Sequence, residues 1–143
     1  MHIVFDLDNT LSDEMGKYSR PGVVELLEKL KSDGHRLSVW TSSTRKRALT
    51  VLNDLGLRKY FTDFIFREDY DPENLGVIKD IRRVNGDCLI DDDPKQINFT
   101  KSVGKKAFLV RSYRGGLTAS LREMDELYKF IRRASGIFRS WFK

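Results

Sequence analysis

The chain of 143 residues is long enough for a single hydrophobic core, and its composition, 40% hydrophobic and 33% charged, excludes intrinsic disorder. No apolar run approaches the roughly 20 residues that cross a bilayer. The single cysteine, Cys88, excludes an intramolecular disulfide and a cysteine-based zinc site. It fits a reducing compartment, and the first residues lack the pattern of a secretion signal, so we expect a cytoplasmic protein. The net charge of +5 permits a polyanionic partner such as nucleic acid.

Short apolar runs alternate with segments of helical spacing along most of the chain. The runs that predict strands are residues 2–5, 37–40, 64–66, 88–90 and 107–110. The segments that predict helices follow Pro21 up to Gly34, run from a Ser43 or Thr44 cap to Gly56, and cover about 72–84, 94–103 and about 118–134. This alternation predicts an α/β fold with a parallel sheet and right-handed crossovers.

The end of the chain separates into a helix and a short tail. The apolar positions of the last predicted helix form one stripe, which we expect to pack on the sheet: Leu117, Leu121, Met124, Leu127 and Ile131. Residues 135–143 are aromatic and basic, with Ile137, Phe138, Trp141 and Phe142. We expect this tail to fold onto the domain as a final amphipathic turn, with a membrane or partner contact as the alternative. The predicted organisation is one domain over residues 1–134, followed by the tail.

Polar side chains follow three of the predicted strands. They are Asp6 and Asp8 after the first strand, Thr41 and Ser42 after the second, and Asp91, Asp92 and Asp93 after the fourth. Ligands of open α/β sheets bind beyond the carboxyl ends of the strands, so we expect one site there. Neighbouring carboxylates repel one another unless a cation compensates, and oxygen ligands without His or Cys favour Mg²⁺. The hydroxyl-rich turn that opens the second helix suits a phosphate.

Each of these features has an ordinary structural explanation when it is taken alone. An Asp after a strand is commonly a helix cap or turn former, and we expect that role for Asp13, Asp54, Asp69 and Asp93. A Ser/Thr run before a helix is commonly only a cap. The joint occurrence of acids after two strands and hydroxyls after a third is what indicates a functional site.

Four motifs, in this order, resemble the signatures of the haloacid dehalogenase superfamily in its phosphatase form. The first is Asp6-Leu7-Asp8-Asn9-Thr10, and Thr41, Lys79-Asp80 and Asp91-Asp92 follow. The resemblance spans about residues 3–94 and implies a single Rossmann-like three-layer domain. The segment 11–20 is short and the interval 41–79 is filled by a predicted helix and strand, so we expect no cap domain.

Other stretches resemble particular branches of that superfamily. Arg20-Pro21, Phe66-Arg67-Glu68 and residues 90–94 are similar to the small phosphatases that act on the C-terminal domain of RNA polymerase II. The chain departs from that branch, which usually has Asn where Asp92 stands and carries an insertion for which there is little room here. The Asp91-Asp92 pair also resembles polynucleotide phosphatases and deoxyribonucleotidases. The substrate therefore stays open among a phosphoprotein, a polynucleotide end, a nucleotide and a small phosphorylated metabolite.

The resemblance implies a role for each acid of the motifs. Asp6 would be the nucleophile that becomes an aspartyl-phosphate, and Asp8 would act as general acid and then general base. Asp6 and the backbone carbonyl of Asp8 would bind Mg²⁺. Asp92 is expected to be the remaining metal ligand, with Asp91 as second choice or as support behind it.

The resemblance also implies which groups bind the substrate phosphate. Thr41 would donate a hydrogen bond to a phosphoryl oxygen, and Lys79 would neutralise charge on the phosphate and on Asp6. Asn9 and Ser42 are expected to contact the same phosphate. Helical spacing alone would make Lys79 a solvated surface lysine, and only the motif indicates a catalytic role.

The expected function is a Mg²⁺-dependent phosphomonoester hydrolase. The alternative is a non-catalytic binding module that uses its basic surface, which the intact acid cluster disfavours. A nucleic-acid-binding protein is a third possibility, but no recognition motif is present. Arg45, Lys46 and Arg47, directly after the phosphate-binding turn, can guide a polyanion, although solvated surface is the commoner role of such residues. The sequence leaves the oligomeric state open.

Overall fold

The computed structural model describes residues 1–115 and 118–136. The strands are β1 (His2–Phe5), β2 (Arg36–Trp40), β3 (Asp63–Ile65), β4 (Cys88–Asp91) and β5 (Lys106–Leu109). The helices are α1 (Val23–Ser32), α2 (Arg45–Asp54), α3 (Arg67–Tyr70), α4 (Pro94–Ser102) and α5 (Thr118–Ser135), with 3₁₀ turns at Arg58–Tyr60 and Ile81–Val84. The strands form one parallel sheet in the order β3-β2-β1-β4-β5. The predicted α/β fold is confirmed.

Side chains alternate across the sheet and build a core on each face. Ile3 and Phe5 of β1 belong to the larger core, which also contains buried residues of α1, α2 and α5. Val4 points to the other face and packs in a smaller core with Ile97 of α4 and Ile81. Helical segments thus cover both faces, in three layers. The central strands β1 and β4 are wholly buried, whereas the edge strands β3 and β5 are partly exposed.

Two helices begin at the caps that the sequence predicts. The Thr44 side chain accepts a hydrogen bond from the Arg47 amide at the start of α2. Asp93 caps α4 by accepting from the Lys95 amide, and Pro94 occupies the first helical position. Asp54 is instead the last residue of α2, so its predicted role as a cap or turn former is wrong.

The helix predicted over about 72–84 is wrong. The segment contains only the 3₁₀ turn Ile81–Val84, and the preceding helix α3 ends at Tyr70. The Asp71 carboxylate accepts hydrogen bonds from the amides of residues 75, 76 and 77 at 2.8, 2.9 and 3.1 Å. Asn74 and Gly76 have φ angles of 55° and 83°, which a right-handed helix excludes. Local bonding to one Asp side chain therefore replaces the helix.

Helix α5 packs against α1 and β5. Met124, Leu127 and Ile131 are buried as the apolar stripe predicts, but Leu121 is 44% exposed, so the buried stripe is narrower. Leu117 and the tail residues 137–143 lie outside the described residues, so the packing of the tail and the boundary at residue 134 stay predictions. Among the described helices, none is long and apolar enough to span a bilayer.

The segment between β1 and α1 forms a short loop beside α2. Ser12 pairs with Ser19 across this 11–20 loop. Gly16 lies directly against α2, where a Cβ at this position would be 2.6 Å from Cγ2 of Val51, and its φ is +70°. Only glycine fits such a contact without strain. Within residues 1–115 and 118–136, the structure contains no inserted cap domain.

Candidate active site

Three carboxylates meet at the carboxyl ends of neighbouring strands. Asp6 follows β1 and Asp91 ends β4, and the parallel register that pairs Phe5 with Ile90 brings them side by side. Asp6, Asp91 and Asp92 each place one oxygen within 4.8 Å of the others. The structure therefore brings together the acids that the sequence singles out after the first and fourth strands.

A buried lysine lies between two of these acids. The Nζ of Lys79 is 2.8 Å from Oδ1 of Asp6 and 2.9 Å from Oδ2 of Asp91. Lys79 is only 5% exposed, and its backbone amide donates to Oε1 of Gln96. These contacts exclude the solvated helix position that spacing alone would favour.

Burial and charge control the protonation of this cluster. Burial raises the pKa of Asp6 well above its usual value, with a further rise from Asp91, and burial also raises the pKa of Asp91. Burial by itself lowers the pKa of Lys79, but the carboxylates of Asp6 and Asp91 outweigh it and the pKa rises. The Lys79 ammonium contacts Asp6 and Asp91, whereas Asp92 accepts hydrogen bonds from the hydroxyls of Thr10 and Ser112. The donor set consists of oxygen atoms, which fits a Mg²⁺ ion.

Hydroxyl groups lie within hydrogen-bond distance of the oxygens of Asp6 and Asp92 that Lys79 does not contact. The Thr10 hydroxyl lies 3.0 Å from Oδ2 of Asp6 and 3.4 Å from Oδ1 of Asp92. Ser112 donates to Oδ2 of Asp92 at 2.6 Å. Sequence reasoning missed Ser112, although its position shortly after β5, the neighbour of β4, was a signal that could have found it.

The loop after β1 turns sharply at Asn9, whose φ is 65°. The Asn9 carbonyl accepts hydrogen bonds from Nη2 of Arg20 at 2.9 Å and from the Tyr113 amide at 2.8 Å. Arg20 is 2% exposed and forms an ion pair with Glu123 of α5 at 2.7 Å. The turn that carries Asp6 and Asp8 is thereby fixed to the last helix of the domain.

The predicted site residues gather around one concavity of about 550 Å³. Seven of them line it: Asp6, Asp8, Asn9, Ser42, Lys79, Asp91 and Asp92. Thr41 is fully buried, and its hydroxyl accepts a hydrogen bond from the Ser43 amide at 3.0 Å. Thr41 therefore lies behind the hydroxyl-rich turn that opens α2, and Ser42 faces the concavity.

Arg47 of α2 contacts Asp8 and the 11–20 loop, both distant from it in sequence, and the turn that precedes its own helix. Its Nη1 is 2.8 Å from Oδ1 of Asp8 and 3.0 Å from Oγ of Ser43, and its Nη2 donates to the Glu14 carbonyl at 2.9 Å. Sequence reasoning treated Arg47 as a surface cation. Its position in the first turn of α2, beside the cap at Thr44, was the available signal.

The family comparison agrees with this geometry. The family model described as NLI interacting factor-like phosphatase matches residues 1–139. The chain belongs to this family. It is therefore a phosphatase with the haloacid dehalogenase fold, as the four motifs indicate. No curated protein matches the chain significantly.

Solved structures similar to this NLI interacting factor-like phosphatase share its fold. A hydrolase from Streptococcus pneumoniae TIGR4 superposes with a TM-score of 0.61 and 14% identity, covering 87% of this chain and 97% of that one. A Had-superfamily hydrolase from Ehrlichia chaffeensis gives 0.58 and 14%, covering 89% and 95%. The D,D-heptose 1.7-bisphosphate phosphatase from B. bronchiseptica, complexed with magnesium and phosphate, gives 0.57 and 16%, covering 90% and 98%. At these identities the likeness shows the fold alone.

One wall of this phosphatase's concavity is formed by residues that the sequence analysis did not predict for the site. Asn74, Gly76 and Val77 line the concavity, in the loop that the Asp71 carboxylate organises. Leu75 in the same loop is 75% exposed. The sequence analysis missed this wall because it predicts a regular helix for the segment, with these residues on the surface of that helix.

Proposed function

We propose that the chain is a Mg²⁺-dependent phosphomonoester hydrolase that works through an aspartyl-phosphate on Asp6. The observation that carries this proposal is the contact of Lys79 with both Asp6 and Asp91, inside a cluster of three carboxylates. A buried lysine that holds a carboxylate in the lining of a concavity leaves a nucleophile oriented toward an incoming phosphate. The family to which the chain belongs supports the same reaction class.

In the proposed reaction, an oxygen of Asp6 forms a bond to phosphorus while the bond from phosphorus to the leaving oxygen breaks. Asp8 gives a proton to that leaving oxygen, and the phosphoryl group then resides on Asp6. A water molecule next attacks phosphorus, Asp8 takes its proton, and Asp6 is released with inorganic phosphate. Ser42, Asn9 and Lys79, which line the concavity, bind the phosphoryl oxygens in this scheme. Thr41, for which the motif also predicts that role, supports the turn from behind through its contact with the Ser43 amide.

The residues that would hold Mg²⁺ are Asp6, the Asp8 carbonyl and Asp92. When bound, the ion supplies positive charge that offsets the repulsion between the carboxylates and the phosphate. We favour Asp92 over Asp91 as the direct ligand because Asp92 is partly exposed and its partners are the hydroxyls of Thr10 and Ser112, whereas Asp91 is buried and contacts the charged Lys79. Oδ2 of Asp91 accepts from Lys79, and Oδ1 accepts from the Asp93 amide at 3.0 Å.

Phosphate release from p-nitrophenyl phosphate tests the proposed function and the choice of metal ligand together. The wild-type chain is expected to release phosphate with Mg²⁺, to stop with EDTA, and to recover with excess Mg²⁺. Asp92→Asn is expected to raise the Mg²⁺ concentration for half-maximal rate by more than about tenfold. Asp125→Asn, an exposed acid on α5, is the matched control. Release that is indifferent to EDTA would contradict the metal dependence, and an unchanged Mg²⁺ requirement in Asp92→Asn would reject that ligand.

Arg47 is expected to position Asp8 for proton transfer. Arg47→Ala removes the 2.8 Å contact to Asp8, so substrates with poor leaving groups should suffer most, because they need the proton. The value of kcat/KM should fall about tenfold further for glycerol phosphate than for p-nitrophenyl phosphate. This difference is smaller than the roughly 10²–10⁴-fold contribution of a general acid, because Asp8 itself remains. Arg58→Ala, an exposed arginine elsewhere, is the control, and Arg47→Lys should restore part of the loss. Equal losses on both substrates would show that Arg47 only stabilises the fold.

A further inference from the structure

A second concavity of about 630 Å³ lies between the 11–20 loop and α2. Residues 15–17 form one wall, and the other is one side of α2 from Thr44 to Leu55. We call it the α2 groove. Arg47 lines this groove, and the same guanidinium group is 2.8 Å from Asp8. The α2 groove therefore begins at the edge of the active site.

The position of Asp8 determines which side of the site the leaving molecule occupies. In the proposed function, on which this inference rests, Asp8 protonates the leaving oxygen. The remainder of the leaving molecule must therefore extend from the Asp8 side of the site. The α2 groove is the concavity that Arg47 joins to Asp8, so it is placed to receive that remainder.

The α2 groove is positively charged. Lys17, Lys46 and Arg47 line it, with Asp54 as the acidic residue of its wall. Lys17 and Lys46 are exposed, and neither takes part in a salt bridge among the described residues. The wall on the other side of the active site differs, since its 71–77 loop carries the exposed Glu73 and no basic residue.

The walls of the α2 groove are held by specific contacts. Gly16 lies so close to Val51 that an added Cβ would be 2.6 Å from Cγ2 of that residue, and Arg47 donates to the Glu14 carbonyl. The same loop presents Met15 and Tyr18, which are 69% and 66% exposed. The loop therefore presents Lys17 together with an exposed apolar and an exposed aromatic side chain.

We propose that the α2 groove binds the backbone of a single-stranded nucleic acid whose terminal phosphate is the substrate. Cations along a groove, with the exposed Tyr18 directly after the wall that residues 15–17 form, are the combination that binds single strands. The cations would contact phosphates, and the ring at the edge of the groove would be available for base stacking. An acidic phosphopeptide would meet the same cations, but it would not use the Tyr18 ring for stacking. The nucleic acid is therefore the occupant that both features favour.

The test compares substrates that reach the α2 groove with one that does not. Tetrathymidylate with a 3′- or a 5′-phosphate extends beyond the active site, whereas p-nitrophenyl phosphate ends near it. The measured quantity is kcat/KM for the oligonucleotide divided by kcat/KM for p-nitrophenyl phosphate, so that general damage to the enzyme cancels. The variant is K17E/K46E. The control K101E/K106E makes the same change in net charge at exposed positions at the end of α4 and the start of β5, which is the opposite edge of the sheet.

The ratio is expected to fall by about tenfold or more in K17E/K46E at low salt and to stay within about twofold in K101E/K106E, because only the first pair would contact backbone phosphates. Added KCl should reduce the ratio of the wild-type chain. An unchanged ratio in K17E/K46E, an equal fall in both variants, or a higher kcat/KM for an acidic phosphoserine peptide than for tetrathymidylate would overturn the proposal.

A binding measurement separates failure of this inference from failure of the proposed function. Fluorescence anisotropy of a labelled 3′-phosphorylated tetrathymidylate requires no turnover. If p-nitrophenyl phosphate is not hydrolysed, the proposed function fails, and the α2 groove is judged by binding alone. Weaker binding by K17E/K46E than by K101E/K106E would support the groove, and equal binding would overturn it.

Discussion

Asp6→Asn is expected to abolish phosphate release while the protein remains folded. An amide cannot form the acyl-phosphate, and loss of a covalent nucleophile typically lowers kcat by 10⁴-fold or more, on the order of 10⁶ in one well-studied protease. The fold should persist because Asn has nearly the same shape and can still accept from the Thr10 hydroxyl, which lies 3.0 Å from Oδ2 of Asp6. Burial disfavours the charged form of Asp6, as its raised pKa indicates. The metal-free variant should therefore remain folded, because relief from burying a charged carboxylate offsets part of the loss of its contact with Lys79.

Two measurements on purified Asp6→Asn check this expectation. The rate of release from p-nitrophenyl phosphate with Mg²⁺ gives the effect on chemistry, and urea denaturation with EDTA gives the free energy of unfolding. Asp13→Asn, in the loop that follows the first motif, is a control for the loss of an acid outside the cluster. Turnover of Asp6→Asn near the wild-type rate would remove Asp6 from the proposed mechanism.

Lys79→Met is expected to damage both stability and catalysis. The substitution keeps a long apolar side chain but leaves Asp6 and Asp91 buried without their shared cation. Removing one partner of a buried ion pair typically costs about 3–5 kcal/mol. Catalysis should fall by about 10²–10³ or more, because a charge that stabilises the phosphoryl group is lost.

The effect of Mg²⁺ distinguishes the two consequences of Lys79→Met. A cation bound by the acid cluster should restore part of the free energy of unfolding, whereas it should not restore the rate, since Lys79 itself contacts Asp6. Urea denaturation with and without Mg²⁺ measures the first effect. Lys101→Met, an exposed lysine of α4, is the control. Wild-type stability of Lys79→Met in EDTA would show that the buried contacts of Lys79 contribute little.

Much of the fold follows from local sequence patterns. The apolar runs predict all five strands to within one residue at each end, since buried strands of a parallel sheet need continuous apolar sequence. The caps at Thr44 and Asp93 mark the starts of α2 and α4, because their side chains bond to nearby amides. The helix predicted after Tyr70 is absent because of the same kind of bonding between a side chain and nearby amides. The Asp71 side chain bonds to three amides and prevents the helix that residue spacing favours.

The candidate site was predictable where its residues follow strands. Asp6 and Asp91 meet because neighbouring parallel strands end at the same edge of the sheet. Lys79 was predicted from the motif alone, since nothing in its local sequence indicates a buried position beside Asp6. Arg47 and Ser112 could not be predicted in this way. Their roles depend on distances across the fold, from α2 to Asp8 and from the segment after β5 to Asp92.

The most direct test of the proposed mechanism is detection of the phosphorylated Asp6 side chain. The wild-type chain is mixed with p-nitrophenyl phosphate and Mg²⁺ and is quenched in acid during turnover. Reduction with borohydride then converts an acyl-phosphate into an alcohol, and mass spectrometry of the digested peptides locates it. The proposed function predicts homoserine at position 6 in the presence of substrate and an unmodified aspartate without it. Turnover with Asp6 unmodified, or with the reduced residue at another position, would contradict it.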